Sequence, residues 1–198
     1  MRSLVAPGWG LSLARYLALP LLALAAATQG PAGSTPTQDG DAERRAAALR
    51  AMVVLKIAPY LTTHRSGGKE YRIAVVGSDL VTAAIQKHLP DKKVEASAIK
   101  VVELSLAHAR SGDHAGEYDL VFVAASVDAN ALPEIVRGHA DKPVPIVCER
   151  PGFAALGGGV QLFVQDNNVR FEVNVEALRV QGVKVAAQLQ KLSRKGPP

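Results

Sequence analysis

The chain has 198 residues, of which 48% are hydrophobic and 21% are charged, a composition typical of one globular domain. A formal net charge of +5 and an aromatic content of 5% are too low to indicate nucleic-acid binding, which needs clustered basic side chains or stacking aromatic rings. The single cysteine excludes an internal disulfide bond and a cysteine-rich zinc site.

The N-terminal segment has the features of a secretory signal peptide. Arg2 and Arg15 are its only charged residues, and Tyr16–Ala27 forms an apolar run that ends in three small residues. This run is shorter than the roughly 20 apolar residues that a membrane-spanning helix needs, and Pro20 interrupts it. We therefore predict that residues 1–27 are a cleaved signal peptide and that the mature protein is exported and soluble.

A linker and a helix are predicted next. Residues 28–42 are rich in Pro, Gly, Ser and Thr and are expected to form a flexible linker, with residues 43–195 as the folded domain. A helix is predicted over Asp41–Thr62, with Asp41 as its N-cap and Pro59 ending or kinking it. Its apolar residues are spaced three and four apart and are expected to share one face: Ala46, Leu49, Met52, Val53, Ile57 and Leu61.

Strands alternate with helices through the middle of the domain. The apolar runs predict four strands: Tyr71–Gly77, Ile99–Leu106, Tyr118–Ala124 and Val144–Cys148. Helices are predicted over Ser78–His88, where Leu80, Ala84 and Leu89 are available for burial, and over Asn130–Ala140. This alternation predicts an α/β single-domain sandwich with a mostly parallel central sheet, helices on both faces and a C-terminal antiparallel hairpin.

The hairpin is predicted from the strands Val160–Gln165 and Val169–Asn174. A two-residue turn pairs the apolar face of one strand with the apolar face of the other, whereas a three-residue loop sets Val169 against Gln165. We therefore expect the two-residue turn. Two helices should follow, one capped by Asn174 and ended by Gly182, and a final one with an apolar stripe of Val185, Leu189 and Leu192.

Two sets of residues are candidate binding sites. Arg170, Glu172 and Asn174 alternate on the polar face of the second hairpin strand, where they either contact a partner or form an ordinary solvated face, Asn174 being also a helix cap. Gly77, Ser78 and Asp79 lie between a strand and a helix, where open α/β sheets bind ligands. Helix capping is the simpler explanation of Ser78 and Asp79, because no complete phosphate-binding motif is present.

The motifs of common catalytic and metal sites are missing. The five histidines form no HxH or HxxxH pair, and no GxSxG motif supplies a hydrolase nucleophile, so we predict no catalytic residue, metal site or cofactor. Glycines 157–159 precede a strand rather than a helix, which favours a turn over a phosphate loop. Cys148 ends an apolar strand and is expected to be buried.

The C-terminal section combines several motifs in order: Gly152–Ala154, glycines 157–159, Val169–Asn174, Gly182–Val185 and Leu189–Leu192. In this order and spacing, residues 151–195 resemble the closing section of the YfiR/HmsC family of periplasmic proteins. Two features depart from the family pattern. The first helix ends in Ile57-Ala58-Pro59-Tyr60 without the Trp-Pro common in the family, and Cys148 lacks the second cysteine that some members have.

The resemblance implies a function by protein–protein binding. Members of the family resemble periplasmic repressors that hold the sensor domain of a membrane-bound diguanylate cyclase inactive, in cyclic di-GMP signalling and biofilm control. An outer-membrane lipoprotein often sequesters them, and the fold tends to form homodimers. We therefore expect a non-enzymatic regulator that uses an apolar patch of the first helix and the polar strand row. The alternatives are an envelope ligand-binding module or enzyme with a site near Gly77–Asp79, and a structural interaction protein without a switch.

Overall fold

The computed structural model describes residues 37–63, 70–88, 93–94, 97–113, 115–166 and 168–196. The predicted signal peptide and the linker as far as residue 36 lie outside the described residues, as does Leu89. The elements below therefore belong to the predicted folded domain and to the last residues before it.

Six α-helices and nine strands are found in the described part of the chain. The helices are α1 (Thr37–Ile57), α2 (Asp79–His88), α3 (Leu106–Ser111), α4 (Leu132–Gly138), α5 (Val175–Val180) and α6 (Ala187–Leu192). The strands are β1 (Leu61–Thr62), β2 (Glu70–Val76), β3 (Lys93–Val94), β4 (Ser97–Glu103), β5 (Leu120–Val123), β6 (Ile146–Cys148), β7 (Val160–Gln165), β8 (Asn168–Val173) and β9 (Lys184–Val185).

Seven of these strands form one sheet in the order β3-β4-β2-β5-β6-β7-β8. The five inner strands β4, β2, β5, β6 and β7 are parallel, and the outer strands β3 and β8 are antiparallel to their neighbours. β1 and β9 pair separately as a small antiparallel sheet. The predicted α/β sandwich with a mostly parallel sheet and a C-terminal hairpin is confirmed.

Helices cover both faces of the sheet and create two cores. The first core lies on the side of α1 and α2, where Ala51 and Ile85 meet Phe122 of the sheet. The second lies on the side of α3 and α4 and includes Ala109 and Ile135. Central strands that are covered on both sides need continuous apolar runs, which explains the sequences of β2 and β5.

The hairpin has the register that the sequence predicts. Val164 pairs with Val169, Leu162 with Phe171, and Gln165 closes the turn against residue 168. Asp166 in the turn has a φ of 50°, the left-handed conformation of the two-residue hairpin turns whose twist matches the strands. Apolar side chains therefore share one face of both strands.

The first helix differs from its prediction at both ends. α1 begins at Thr37, inside the segment predicted as linker, and ends at Ile57 instead of Thr62. Pro59 stops the α-helix because it has no N–H to donate, and a short 3₁₀ turn follows over Ala58–Tyr60. Leu61 then pairs with Val185, so Val185 belongs to β9 and not to the final helix.

The predicted buried face of α1 was partly wrong. Ile57 is buried as expected, but the rest of the buried face is formed by Ala47, Ala51, Val54 and Leu55, whereas Leu49 and Met52 are exposed. Alanines allow the helix axis to approach the sheet closely, and the larger side chains are then left at the flank. In α2, Leu80 is likewise exposed, because the neighbouring residues Val81 and Ile85 turn to the core.

The end of β4 and the final helix also differ from the sequence prediction. The strand predicted to reach Leu106 stops at Glu103, and Ser105 caps the unpredicted helix α3 by accepting a hydrogen bond from the His108 backbone N at 3.3 Å. In the final helix, Leu189 is buried as expected but Leu192 is exposed.

Candidate functional site

The predicted polar row lies on β8, the outer strand of the sheet. Phe171 packs against the first core, so the side chains of Arg170 and Glu172 lie on the opposite face. On that face β7 places Phe163 opposite Arg170 and the buried Gln161 opposite Glu172. The fold therefore brings the two charged members of the row together beside an aromatic and an amide side chain.

Those two charged residues have different surroundings. The side chain of Arg170 is exposed, whereas Glu172 is half-buried. One carboxylate oxygen of Glu172, Oε2, accepts a hydrogen bond of 2.7 Å from the backbone N of Gly196 in the C-terminal tail. Glu172 therefore already holds one polypeptide segment against the sheet.

Asn174 has a structural role. Its Oδ1 accepts a hydrogen bond of 3.0 Å from the backbone N of Ala177, which caps helix α5. Its Nδ2 donates to the carbonyl oxygen of Ala154 at 3.0 Å, which ties the cap to the loop after β6. The capping role that the sequence allowed for Asn174 is thus confirmed.

An apolar groove runs between α1 and the β7–β8 hairpin. It consists of two adjoining cavities of about 350 and 370 Å³, both lined by Val169. The principal residues of this apolar groove are Leu49, Val53, Val164, Val169, Phe171 and Leu192. Leu49, which the sequence predicted for the core face of α1, lies in one of its walls.

The rim of the apolar groove consists of exposed aliphatic side chains. The exposed fractions of Val164, Leu192 and Leu49 are 69%, 61% and 54%. Contiguous apolar patches of this kind on a soluble protein mark surfaces for interaction with partners or ligands. The charged residues that line the groove are few: Lys56 at one end, and a paired Arg50 and Glu149 at the other.

Arg50 and Glu149 join α1 to the sheet. The Arg50 guanidinium forms an ion pair with Glu149, and the second carboxylate oxygen of Glu149 accepts a hydrogen bond of 3.1 Å from the Ala125 backbone N. Burial raises the pKa of Glu149, while the positive charge of Arg50 acts to lower it. The ion pair compensates a carboxylate that the fold has largely removed from water.

The second predicted site forms a crevice at the carboxyl ends of β2 and β5. Gly77, Ser78 and Asp79 line a cavity of about 290 Å³ together with Ser126 and the Arg50–Glu149 pair. From β2 the chain goes first to β4 on one side and later to β5 on the other. Open α/β sheets commonly bind ligands at such a change of direction.

Several polar groups that line this crevice already form local hydrogen bonds. Ser78 Oγ accepts from the Val81 backbone N at 3.2 Å and so caps α2, as the sequence suggested. Gly77 has a φ of 80°, and its carbonyl oxygen accepts a hydrogen bond from the Ser126 hydroxyl. A Cβ at Gly77 would lie 2.6 Å from a methyl carbon of Val127, so the position requires glycine. The cavity remains open beside these groups.

Burial shifts the pKa values of two ionisable side chains in the second core and beside it, Cys148 and His139. Burial raises the pKa of the Cys148 thiol to about 11, which keeps it protonated and unreactive at neutral pH. Burial lowers the pKa of His139. Within the described residues there is no group of three His, Cys, Asp or Glu side chains that could hold a metal ion.

Sequence reasoning missed the Arg50–Glu149 pair and the hairpin wall of the groove. One signal was available, because Glu149 directly follows a buried strand, where functional side chains of parallel sheets are concentrated. Nothing in the pattern of α1 singles out Arg50 from the other basic residues around it. The exposure of Val164 depends on how far the helices extend over the sheet, which no local pattern specifies.

A family model described as YfiR/HmsC-like matches residues 47–194 of the chain. No curated protein matches the chain. Among solved structures, an ABC domain in complex with L-Trp from Streptococcus pneumonia is similar at 10% identity and a TM-score of 0.51, covering 74% of this chain and 59% of that one. A conserved domain protein from Vibrio cholerae O1 biovar El Tor is similar at 13% identity and a TM-score of 0.51, with coverages of 74% and 58%. The chain thus spans less than two thirds of either structure, and at these identities the similarity concerns the fold alone.

Proposed function

Because the chain belongs to the YfiR/HmsC-like family, we propose that it is a periplasmic regulator that represses a membrane-bound diguanylate cyclase by binding the sensor domain of that enzyme. Members of the family are periplasmic proteins and act as regulators of cyclic di-GMP signalling rather than as enzymes. In the part of the chain that the structure describes, no helix has both the length and the apolar character to cross a membrane.

The apolar groove is the observation that carries this proposal. Its rim exposes three large aliphatic side chains, and the family match includes the hairpin and the second half of α1, between which the groove lies. An apolar centre with a small number of charged groups at its ends is the usual composition of a protein-binding surface. Arg170 and Glu172 lie on the other face of the same hairpin, where we propose that they form polar contacts with the partner.

Repression would work by occupancy. A regulator that binds the inactive conformation of the sensor domain more tightly than the active one lowers the population of active cyclase. An outer-membrane lipoprotein that binds the regulator would restore cyclase activity, because the lipoprotein and the cyclase compete for the same free regulator. No chemical step on the regulator is needed.

The test measures cyclic di-GMP in cells. Deletion of the gene should raise the cyclic di-GMP level, and the wild-type gene should restore it. An Asp side chain at Val164 should abolish this restoration, because it places a charge in the apolar groove. Val180 on α5 is a matched control, since it is 67% exposed against 69% for Val164 but lies outside the groove. An unchanged level after deletion, or equal loss with Val164→Asp and Val180→Asp, would refute the proposal.

A small-ligand-binding module is the second candidate function. The crevice at Gly77, Ser78 and Asp79 favours it, because an open cavity of about 290 Å³ lies at the change of strand direction. Saturable binding of a small polar molecule to the purified chain, lost on Ser126→Val, would support this function. If ligand binding left the repression of the cyclase unchanged, the two candidate functions would be independent of each other.

A further inference from the structure

One end of the apolar groove carries a positive charge that no neighbouring carboxylate compensates. Lys56, in the last turn of α1, lines this end of the groove together with Tyr60 and Leu192. All other described residues that line this end are uncharged. Lys56 is exposed, and it takes part in none of the ion pairs found within the described part of the chain. An anionic group placed here would meet a cation and no competing carboxylate.

The opposite end of the groove is electrically compensated. The guanidinium of Arg50 forms an ion pair with Glu149, and the other carboxylate oxygen of Glu149 accepts a hydrogen bond from the Ala125 backbone N. An anion at this end would meet the Glu149 carboxylate, and a cation would have to replace Arg50. The two ends therefore orient an anionic ligand, whose charged group belongs at Lys56.

The surface between the two ends is continuous and apolar. Leu49 and Val53 lie one turn apart on the α1 wall, and Val169 of the hairpin lines both cavities. Each cavity, at about 350 and 370 Å³, has the volume of a small-molecule site. A mostly apolar cleft in which one polar group fixes the orientation is the usual form of such a site.

The length of the groove matches one long hydrocarbon chain. Lys56 lines one end and Ala46 the other, and at 1.5 Å per helical residue these positions are about 15 Å apart along α1. The hydrocarbon core of a bilayer is about 30 Å thick and contains two layers of acyl chains, so one chain spans about 15 Å. A chain of this length with its anionic group at Lys56 therefore reaches the far cavity.

We propose that the apolar groove binds a free long-chain fatty acid, with its carboxylate at Lys56 and its hydrocarbon chain running past Val169 toward Leu49. The bound chain covers the exposed aliphatic side chains of the rim, and removal of this apolar surface from water supplies the affinity. The carboxylate selects the orientation of the chain and discriminates against an uncharged headgroup.

Fatty-acid binding is independent of the proposed function, whereas its effect on the cyclase rests on that function. The same rim residues, Leu49, Val164 and Leu192, form the surface proposed for the sensor domain. Fatty acid and sensor domain would then compete for one groove, and each would lower the apparent affinity of the other. A fatty acid in the envelope would thereby relieve repression of the cyclase.

The first experiment tests the headgroup contact with two ligands of equal chain length. Tetradecanoate and tetradecanol each displace a fluorescent fatty acid from the purified mature chain, and tetradecanoate should bind about fivefold more tightly, because only its headgroup pairs with Lys56. Lys56→Gln should remove this difference and leave the affinity for tetradecanol unchanged. Lys191→Gln is the matched control, since Lys191 is exposed at the end of α6 but does not line the groove.

The second experiment tests the path of the hydrocarbon chain. Val164→Asp should weaken binding of both tetradecanoate and tetradecanol at least about tenfold, because it places a charge in the apolar wall. Val180→Asp, at an equally exposed position outside the groove, should change neither affinity. Octanoate should bind at least about a hundredfold more weakly than tetradecanoate, because six methylene groups no longer contact the far cavity.

Four results would overturn the fatty-acid site: no saturable binding of tetradecanoate, equal affinities for the acid and the alcohol, equal effects of Lys56→Gln and Lys191→Gln, or equal effects of Val164→Asp and Val180→Asp. Circular dichroism checks that each variant is folded. No cyclase is present in these experiments. An unchanged cyclic di-GMP level after gene deletion would therefore refute the proposed function and leave the fatty-acid site unaffected.

Discussion

The central strands and the outer hairpin use similar apolar residues for different purposes. All four residues of β5 are buried, because helices cover both faces of the sheet at this point. In the hairpin one face is mainly apolar, and near the turn this face is uncovered, with Val164 69% exposed. Burial at the centre is required for folding. The exposed apolar residues of the hairpin are not, and they remain available for binding.

The largest expected difference is in the free energy of unfolding. Phe122→Ala in β5 should cost about 3–5 kcal/mol, because a fully buried ring leaves a cavity between the strands and helices. Val164→Ala in the hairpin should change stability by about 0.5 kcal/mol or less, since the side chain is mostly in water. Urea denaturation measures both, and equal costs would show that the hairpin is as tightly packed as the centre.

Two glycines show the same difference between the sheet and its periphery. Gly77 and Gly182 have φ angles of 80° and 75°, so alanine is strained at both. At Gly77 the new Cβ also collides with Val127, whereas at Gly182 nothing lies within 4 Å. We expect Gly77→Ala to cost about 2–4 kcal/mol and Gly182→Ala about 1 kcal/mol. Thermal unfolding with similar losses for both variants would mean that the neighbour of Gly77 moves aside freely.

Loss of the ion pair that anchors α1 should have an intermediate effect. Arg50→Met leaves the Glu149 carboxylate largely buried without its cation, at a cost of about 1–3 kcal/mol. Arg44→Met on the same helix is the control, because Arg44 pairs with Asp41 on the exposed surface, where such pairs contribute about 0–1 kcal/mol. Chemical denaturation measures the difference, and a smaller loss for Arg50→Met than for Arg44→Met would contradict the anchoring role.

The smallest expected effect is a pH dependence from His139. Burial lowers its pKa from the ordinary value of 6.5, so the unfolded chain binds the proton more tightly than the folded chain does. Stability should therefore be unaffected by this group above its unfolded pKa and should fall as the pH drops below about 6.5. His139 Nδ1 lies 2.9 Å from the Ile135 carbonyl oxygen, which fixes the neutral ring in place.

Denaturation at pH 7 and pH 5.5 tests this dependence. The loss between the two pH values should be smaller in His139→Gln than in the wild type, whereas His108→Gln on the exposed side of α3 should behave like the wild type. If the free energy of unfolding rose toward pH 5.5 in the wild type and fell in His139→Gln, the direction assigned to the pKa shift of His139 would be wrong.

The sheet was the most predictable part of the fold, because its signals are local and unambiguous. Tyr71–Gly77 and Tyr118–Ala124 are apolar runs between turn residues, and the alternation of Val160–Gln165 and Val169–Asn174 determines the hairpin register. The same alternation predicted that Arg170 and Glu172 lie together on the polar face of the second hairpin strand.

The features that escaped prediction depend on tertiary packing. Small alanines of α1 face the core while Leu49 lies in the groove, and hydropathy ranks these positions in the opposite order. β1 and β9 contain two residues each, too few to show any periodicity, and they exist because Leu61 and Val185 meet in space. The contact of Gly196 with Glu172 likewise depends on the path of the tail around the edge.

The pairing of β1 with β9 constrains the order in which the domain can be completed. Leu61 follows α1 and the short 3₁₀ turn after it, and its strand partner Val185 lies near the C-terminal end of the domain. A nascent chain therefore cannot form the β1–β9 pair until residues 184–185 have emerged, and such distant contacts slow folding. Until that moment the unfinished domain exposes apolar surface to other molecules, so the nascent chain would benefit from a chaperone that binds such surface.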